Sequence, residues 1–577
     1  MNLIDALETL KNPVKEDAAS FSVHLACGFT PLHIETFLCA QLRKLLPLRD
    51  IDVSMGIYGD FQGNLERAAS TKCHAGAVII EWQDLDSRLG IRNLGGWREK
   101  DLGDIVRCAG RKLETMEQTL RIVAEAAPTA LCFPTLPLPP LFFTTRTQAS
   151  ELELELRKMV ADAQRRLAAL PNVHVVSSQA IDEKSPIADR MDVQSEILAG
   201  FPYKVKHASI IAESLAALIQ PRSPKKGLIT DLDDTLWSGL VGEVGSAAVS
   251  WHLEEGSHIH GLFQQFLASL ASSGALIGIA SKNDPQTVES ALDRKDLLLA
   301  KENVFPVAVS WAPKSESVRE ILKVWNVGVD SVVFVDDSPL EVAEVKSAFP
   351  EMECIVFPRS DYQAFWRLLQ TLRDMFGKPH TSEEDALRSQ SIRHAGEFRE
   401  RLAHANGDSE KFLANVDASI TFALQKTVND RRAFELINKT NQFNLNGKRL
   451  TESDWLSRMN DPATVFVGVN YQDKFGALGK IAVLLGRKEG RAFTVDCWVM
   501  SCRAFSRRIE CACLMFLFEY LNVDSVALNY KRTTRNGYLQ EFLTKLLETD
   551  AAEGCVITRE EFQKRCPHLS HQVIIDE

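Results

Sequence analysis

At 577 residues the chain is too long for one hydrophobic core, so two to four domains are expected. Hydrophobic content of 45%, charged content of 25% and a formal net charge of −11 describe an ordinary globular composition and argue against broad nucleic-acid binding. No apolar run approaches the ~18 residues of a spanning helix, no basic-then-apolar leader opens the chain, and the twelve cysteines form no CxxC pair, so a reduced cytoplasmic protein without membrane or nucleic-acid partners is expected.

Residues 1–220 alternate strand and helix patterns. Phe21-Ser22-Val23-His24-Leu25-Ala26 alternates like a strand and runs into Cys27-Gly28-Phe29-Thr30-Pro31. A helical set follows in Ile34, Phe37, Leu38, Leu42 and Leu45. Segments 51–55, 77–80 and 173–176 read as further strands, and 149–170 as a long charged helix. Such alternation implies a doubly wound sheet. Cys27, in the first strand-to-helix turn, reads either as a thiol nucleophile or as a small core residue, the commoner case.

Gln220-Pro221-Arg222-Ser223-Pro224-Lys225-Lys226-Gly227 is a linker by composition. The next domain, 226–375, opens on GLITDLDDTLWSGLVGEVG. A short apolar strand there ends in Asp231, Asp233 and Asp234, and residues two apart on an extended segment face the same side. In open α/β sheets the pocket lies at the carboxyl ends of the strands. Two carboxylates this close call for a cation, and hard oxygen donors around an incomplete shell suit Mg²⁺; the bland reading is a polar loop of surface aspartates. A second apolar run, 275–280, ends in Ser281-Lys282-Asn283-Asp284, and a third, 331–335, ends in Asp336-Asp337-Ser338. Between them Lys314 stands just before a helical pattern. A carboxylate nucleophile, a metal and donors for oxygen are the equipment of phosphoryl transfer on a small phosphorylated substrate. The gaps between these segments leave no room for a separate folded cap.

In 376–577 a charged stretch, 382–407, is helical by pattern. The amide-rich run Asn438-Lys439-Thr440-Asn441-Gln442-Phe443-Asn444 reads either as a helix terminus rich in capping groups or as a polar grip on a ligand. Segments 465–469, 481–485 and 493–495 read as antiparallel strands, and Trp498-Val499-Met500-Ser501-Cys502-Arg503 leads into an apolar helix over 509–521. Arg503, Arg507, Arg508, Lys531, Arg532 and Arg535 are candidate surface cations for an acidic partner.

The four segments of 226–375 resemble the motifs of the haloacid dehalogenase (HAD) phosphatases. That resemblance implies Asp231 as nucleophile and Asp233 as general acid/base. It implies Thr235, Ser281 and the adjoining Lys282 and Asn283 at the phosphate, Lys314 as its counter-charge, and Mg²⁺ held among Asp231, Asp233, Asp336 and Asp337. LITDLDDTLWSGLVGEVG, IASKNDP, WAPKSESVREI, VFVDDSPLEVAEV, INKTNQFNL, DKFGALG and WVMSCR together resemble the FkbH-like family. The N-terminal domain is similar to SGNH hydrolases, with no serine in its first turn, and 376–577 is similar to N-acetyltransferases (GNAT). The turn Arg503-Ala504-Phe505-Ser506-Arg507-Arg508 lacks the glycines that let a backbone approach coenzyme A. The fold class implied is α/β, an uncapped HAD-type parallel sheet flanked by an SGNH-like α/β domain and a GNAT-like α+β domain. The function implied is loading of a glyceryl unit from 1,3-bisphosphoglycerate onto the phosphopantetheine thiol of an acyl carrier protein in polyketide-type biosynthesis, with Cys502 as a candidate relay thiol and Asn441 and Gln442 as candidate substrate contacts. The alternative is a plain phosphatase of a sugar or acyl phosphate in surface-polysaccharide assembly.

Overall fold

The computed structural model describes residues 1–13, 18–142, 144, 145, 147–378, 392 and 409–576; apart from Ile392, the stretch 382–407 expected to be helical lies outside the described residues. The chain divides into two compact units, Met1–Arg222 with Leu450–Asn460, and Ser223–Arg449 with Asp461–Glu577.

The first unit is a parallel α/β sheet of β1 (Ala19–Ala26), β2 (Arg49–Met55), β3 (Ala75–Ile79), β4 (Thr129–Cys132) and β5 (Val173–Val175), in the order β2-β1-β3-β4-β5. Strands β3 and β4 are covered on both faces, as inner strands of a parallel sheet are: every residue of each is buried. The long charged pattern becomes the helix Glu151–Ala168, begun by Ser150, whose hydroxyl accepts from the Glu153 amide. Helix Glu452–Asn460 also belongs to this unit, tied to it by Asp454 with Arg49 at 3.1 Å and by Glu452 with His174 at 3.0 Å.

The second unit carries two sheets. One is parallel: β6 (Gly227–Thr230), β7 (Leu276–Ser281), β8 (Val304–Val309), β9 (Val332–Asp336) and β10 (Glu353–Val356), in the order β10-β9-β6-β7-β8. Strand alternation splits its apolar residues cleanly. Leu228, Ile277, Ile279, Val333 and Val335 pack toward Phe263 and Leu267, while Ile229, Leu276, Val332 and Phe334 pack toward Val318, Ile321 and Trp325. Gly227 and Gly278 let the Trp325 ring lie on the strands, since a Cβ there would stand 2.6 and 2.9 Å from ring carbons.

The other sheet is mixed: β11 (Ser419–Ala423), β12 (Val465–Asp473), β13 (Gly476–Glu489), β14 (Ala492–Met500), β15 (Ser525–Leu528), β16 (Val556–Thr558) and β17 (Gln572–Asp576), in the order β16-β15-β14-β13-β12-β11-β17. Strands β14 and β15 pair in parallel only at Ala492–Val495 with Ser525–Leu528. Beyond that register the chain's own segment 443–446 enters beside β14. The Leu445 amide donates to the Trp498 carbonyl at 2.9 Å, and the Met500 amide to the Phe443 carbonyl at 3.0 Å. On its other side the Lys531 amide donates to the Leu445 carbonyl at 3.0 Å, and the buried Asn536 side chain donates to the Asn444 carbonyl at 3.1 Å. The end of the amide-rich run, Phe443 and Asn444, is thus built into the sheet. Among the described residues no helix is long and apolar enough to cross a membrane.

Candidate active site

Strands β6, β7 and β9 each end in polar side chains at the carboxyl edge of the parallel sheet, where adjacent strands place them side by side. Asp231 follows β6, its amide fixed to the Val335 carbonyl of β9 at 3.0 Å. Asp336 closes β9, and the Ser338 amide donates to its Oδ1 at 2.8 Å. Helix Lys314–Trp325 begins at the same edge and delivers the Lys314 ammonium between them. Its Nζ lies 2.7 Å from Asp231 Oδ1 and 2.5 Å from Asp336 Oδ2. Lys314, Asp231 and Asp336 are 3%, 6% and 0% exposed, so these charges compensate one another with little help from water. The Glu344 carboxylate accepts from the Lys314 and Ser315 amides at 3.2 and 3.1 Å, an acid at a helix N-terminus.

Asp231, Asp336 and Asp337 each present an oxygen within 4.8 Å of the others. Burial drives the Asp231 carboxyl well above its ordinary value; Lys314 pulls it back and Asp336 pushes it up again. Burial likewise raises Asp337, against the pull of Arg359. For Lys314 burial works downward, yet the two carboxylates outweigh it and hold the ammonium above its usual value. Arg359, on the loop after β10, donates through Nη1 to Asp234 at 2.7 Å and stands through Nη2 2.8 Å from Asp337. Asp231, Asp336 and Asp337 thus gather hard oxygen donors at one point, a donor set that fits a divalent cation such as Mg²⁺.

The remaining expected residues divide. Asp233 is not gathered with the three clustered acids: its Oδ1 accepts from the Trp237 indole at 2.8 Å and the Val241 amide at 3.1 Å, and its Oδ2 accepts from Asn283 at 3.1 Å. Asn283 also donates to the Ser281 hydroxyl at 3.1 Å, so the buried Ser281 and Asn283 form one hydrogen-bonded chain with the half-buried Asp233. The Thr235 hydroxyl faces Asp337, donating to Oδ1 at 3.3 Å and accepting from its amide at 3.0 Å. Lys282 donates to Glu341 at 2.8 Å.

Cys502, Asn441 and Gln442 stand elsewhere. Cys502 Sγ lies 3.0 Å from the Asn326 carbonyl, and Gln442 donates to the Asn326 side chain at 2.7 Å. Asn441 accepts from Arg449. Asn326 ends the helix that Lys314 begins, and twelve residues at 1.5 Å each set its backbone about 18 Å along the axis from that of Lys314. The expected grip and relay thiol thus lie at the opposite edge of the sheet. Arg507, expected as a surface cation, is 1% exposed and its Nε donates to the equally buried Asp473 at 3.0 Å.

Sequence reasoning passed over Arg359, Glu341 and Glu344. The signal for Arg359 was a further strand end: Cys354-Ile355-Val356 is a short apolar run closing in Phe357-Pro358-Arg359.

In the first unit, Cys27 is buried and its Sγ donates to the Phe29 carbonyl at 3.3 Å. Burial, with Asp84 nearby, raises its thiol far above the usual range, so the core reading holds over the nucleophile. Glu81 accepts from the Thr135 hydroxyl at 2.7 Å and the Tyr203 hydroxyl at 2.8 Å, and Thr135 meets His207 at 2.9 Å.

No family model matches the chain, and no curated protein matches it. Among solved structures it is similar to the N-terminal part of the protein BF1531 from Bacteroides fragilis, which contains a phosphatase domain and was solved complexed with Mg. That likeness has a TM-score of 0.50 and 18% identity, over 66% of this chain and all of that one. An uncharacterized protein from Corynebacterium glutamicum is 18% identical over 27% of this chain and 98% of its own, at a TM-score of 0.19 that carries no argument. At these identities the first likeness is one of fold.

Proposed function

We propose that this chain is a Mg²⁺-dependent phosphatase acting through Asp231 on a small phosphorylated substrate. The observation that carries the proposal is the convergence of Asp231, Asp336 and Asp337 within 4.8 Å, with the buried Lys314 ammonium between the first two. The neighbour with a phosphatase domain and Mg supports the choice of metal. Asp231, Asp336 and Asp337 would hold Mg²⁺, which when bound neutralises charge on the phosphoryl oxygens.

In this reading a carboxylate oxygen of Asp231 attacks phosphorus while the bond from phosphorus to the substrate oxygen breaks. Protonated Asp233 gives that leaving oxygen its proton, then takes one from the water that attacks the acyl phosphate on Asp231, releasing inorganic phosphate and restoring the Asp231 carboxylate and the Asp233 acid. Lys314 holds Asp231 in place and stabilises charge beside it. Ser281 and Asn283 border the same pocket and orient Asp233.

The finer proposal is glyceryl loading: 1,3-bisphosphoglycerate as substrate and the phosphopantetheine thiol of an acyl carrier protein as acceptor, in a cytoplasmic biosynthetic pathway. Its support is the FkbH-like series of segments. Asp231 takes the 3-phosphate and water clears it as above, while the carrier thiol loses its proton and attacks the acyl phosphate carbonyl, and the 1-phosphate leaves, with no relay through Cys502. The SGNH-like and GNAT-like readings belong to the same proposal.

Phosphate release from a panel of phosphate esters and acyl phosphates, with Mg²⁺ and with EDTA, tests the coarse reading. No release above background under any condition sinks it. Mass spectrometry of candidate carriers incubated with enzyme, Mg²⁺ and 1,3-bisphosphoglycerate tests the finer one, and release without a mass increment on any carrier leaves hydrolysis alone.

A further inference from the structure

Arg359 is set on a fixed root. Two residues before it, the Phe357 amide donates to the Asp336 carbonyl at 2.8 Å. The Phe357 ring is buried, stacked on His260 at 5.3 Å and tilted against Phe263 at 5.2 Å. His260 in turn contacts the Thr235 carbonyl through Nδ1 at 2.9 Å. From this root the guanidinium reaches two loops at once. On the loop after β6 it holds Asp234, a non-glycine residue at φ +52° whose Oδ1 accepts from the Gly239 amide at 2.9 Å. On the loop after β9 it holds Asp337, whose other oxygen takes the Thr235 hydroxyl.

We propose that Arg359 is a positioning residue for divalent-cation binding: its fork ties Asp234 to Asp337 and so aims the third carboxylate of the cation cluster. The inference rests on the reading of Asp231, Asp336 and Asp337 as a cation site. Without the guanidinium, Asp234 and Asp337 are left as neighbouring like charges, and Asp337 turns away from Asp231 and Asp336. A planar fork can meet two carboxylates in fixed directions, whereas a lysine ammonium is a single point of charge. The Arg359 side chain is 53% exposed, so as an ordinary surface pair it contributes little to folding. Its effect belongs in cation affinity, where loss of an orienting partner commonly costs about 10–100-fold.

The test uses the full chain and Mn²⁺ as probe, with free ion read by electron paramagnetic resonance. Arg359→Ala is expected to raise the Mn²⁺ dissociation constant about tenfold or more, with thermal unfolding of the metal-free protein little changed. Millimolar guanidinium chloride restores affinity to that variant, and equal sodium chloride does not. Arg359→Lys also binds more weakly than wild type, and it carries the test if the alanine variant does not fold. Asp336→Asn serves as the site control and loses tight binding. If Asp336→Asn binds Mn²⁺ like wild type, the cation site is wrong and the Arg359 role falls with it. If Asp336→Asn fails to bind but Arg359→Ala binds within about twofold of wild type, or more tightly, or weakly without guanidinium rescue, the positioning role alone is overturned.

Discussion

Replacing Lys314 by methionine keeps the length of the side chain and removes the charge that two buried carboxylates share. The Lys314 side chain is 4% exposed, those of Asp231 and Asp336 are 9% and 0%, and the ion pairs measure 2.7 and 2.5 Å. Breaking a buried pair by deleting one partner costs about 3–5 kcal/mol, because the remaining charge is left unpaired. At ~2–4 °C per kcal/mol for a domain of this size, the melting temperature should fall by roughly 6–20 °C in EDTA. The loss should depend on pH in a definite sense. Asp231 already has a folded pKa above its unfolded one with lysine in place, and removing the ammonium takes away the pull that opposes burial. Its penalty is absent below the unfolded pKa of about 4 and grows as pH rises toward the folded value. The gap between variant and wild type should therefore narrow on acidification, and Mg²⁺ at about 100 times its dissociation constant should return ~2.7 kcal/mol to either protein. Scanning fluorimetry from pH 4 to 8, with EDTA or Mg²⁺, measures all three. A variant melting within 2 °C of wild type in EDTA at pH 8, or a gap independent of pH, refutes the charge argument.

Asp231→Asn keeps shape and removes the nucleophilic charge, so phosphate release should vanish while melting is retained; near-normal release would end the proposed mechanism. Coenzyme A should bind no tighter than millimolar by calorimetry, since segment 443–446 already pairs with β14 where that strand leaves β15; micromolar binding would overturn this. Arg507→Met should lower stability by about 3–5 kcal/mol through the stranded Asp473 carboxylate, without changing phosphate-release kinetics at temperatures where the variant is folded. A selective kinetic effect in a stable variant would make Arg507 functional rather than structural.

The parallel sheets and the acids at their edges were legible because their signals are local. An apolar run followed by Asp231, Asp336 or Ser281 fixes both the strand and the edge at which the side chain emerges. Lys314 was legible for the same reason, standing at a helix start. What the sequence hid was set by long-range pairing. Arg359 reaches Asp234 across 125 positions and looks like any loop arginine until the strands are ordered. The role of Asp233 turned on the Trp237 indole and Val241 amide, which no spacing rule aims at it. Strands β11, β15, β16 and β17 are three to five residues long, too short for periodicity to separate from loop. Burial of Arg507 was hidden because an arginine and its distant aspartate read alike whether exposed or paired.

The helix Lys314–Trp325 shows why amide-rich and thiol residues at one end of a domain need not serve chemistry at the other. Its first residue enters the acid cluster, and Asn326, after its last, meets Gln442 and Cys502. Among the described residues Arg535 reaches the same amino edge, standing 3.2 Å from Glu351, before β10, and 3.8 Å from Asp330, before β9. At the other edge, Asp231 is followed directly by the segment 232–241. That segment is tied back through Asp233, which accepts from Trp237 and Val241 on one oxygen and from Asn283 on the other. A movement that lifts residues 237–241 necessarily strips two donors from Asp233. The side chain proposed to carry the proton and residues 237–241 are therefore joined by these bonds, so a movement of that segment and the hydrogen bonding of Asp233 change together.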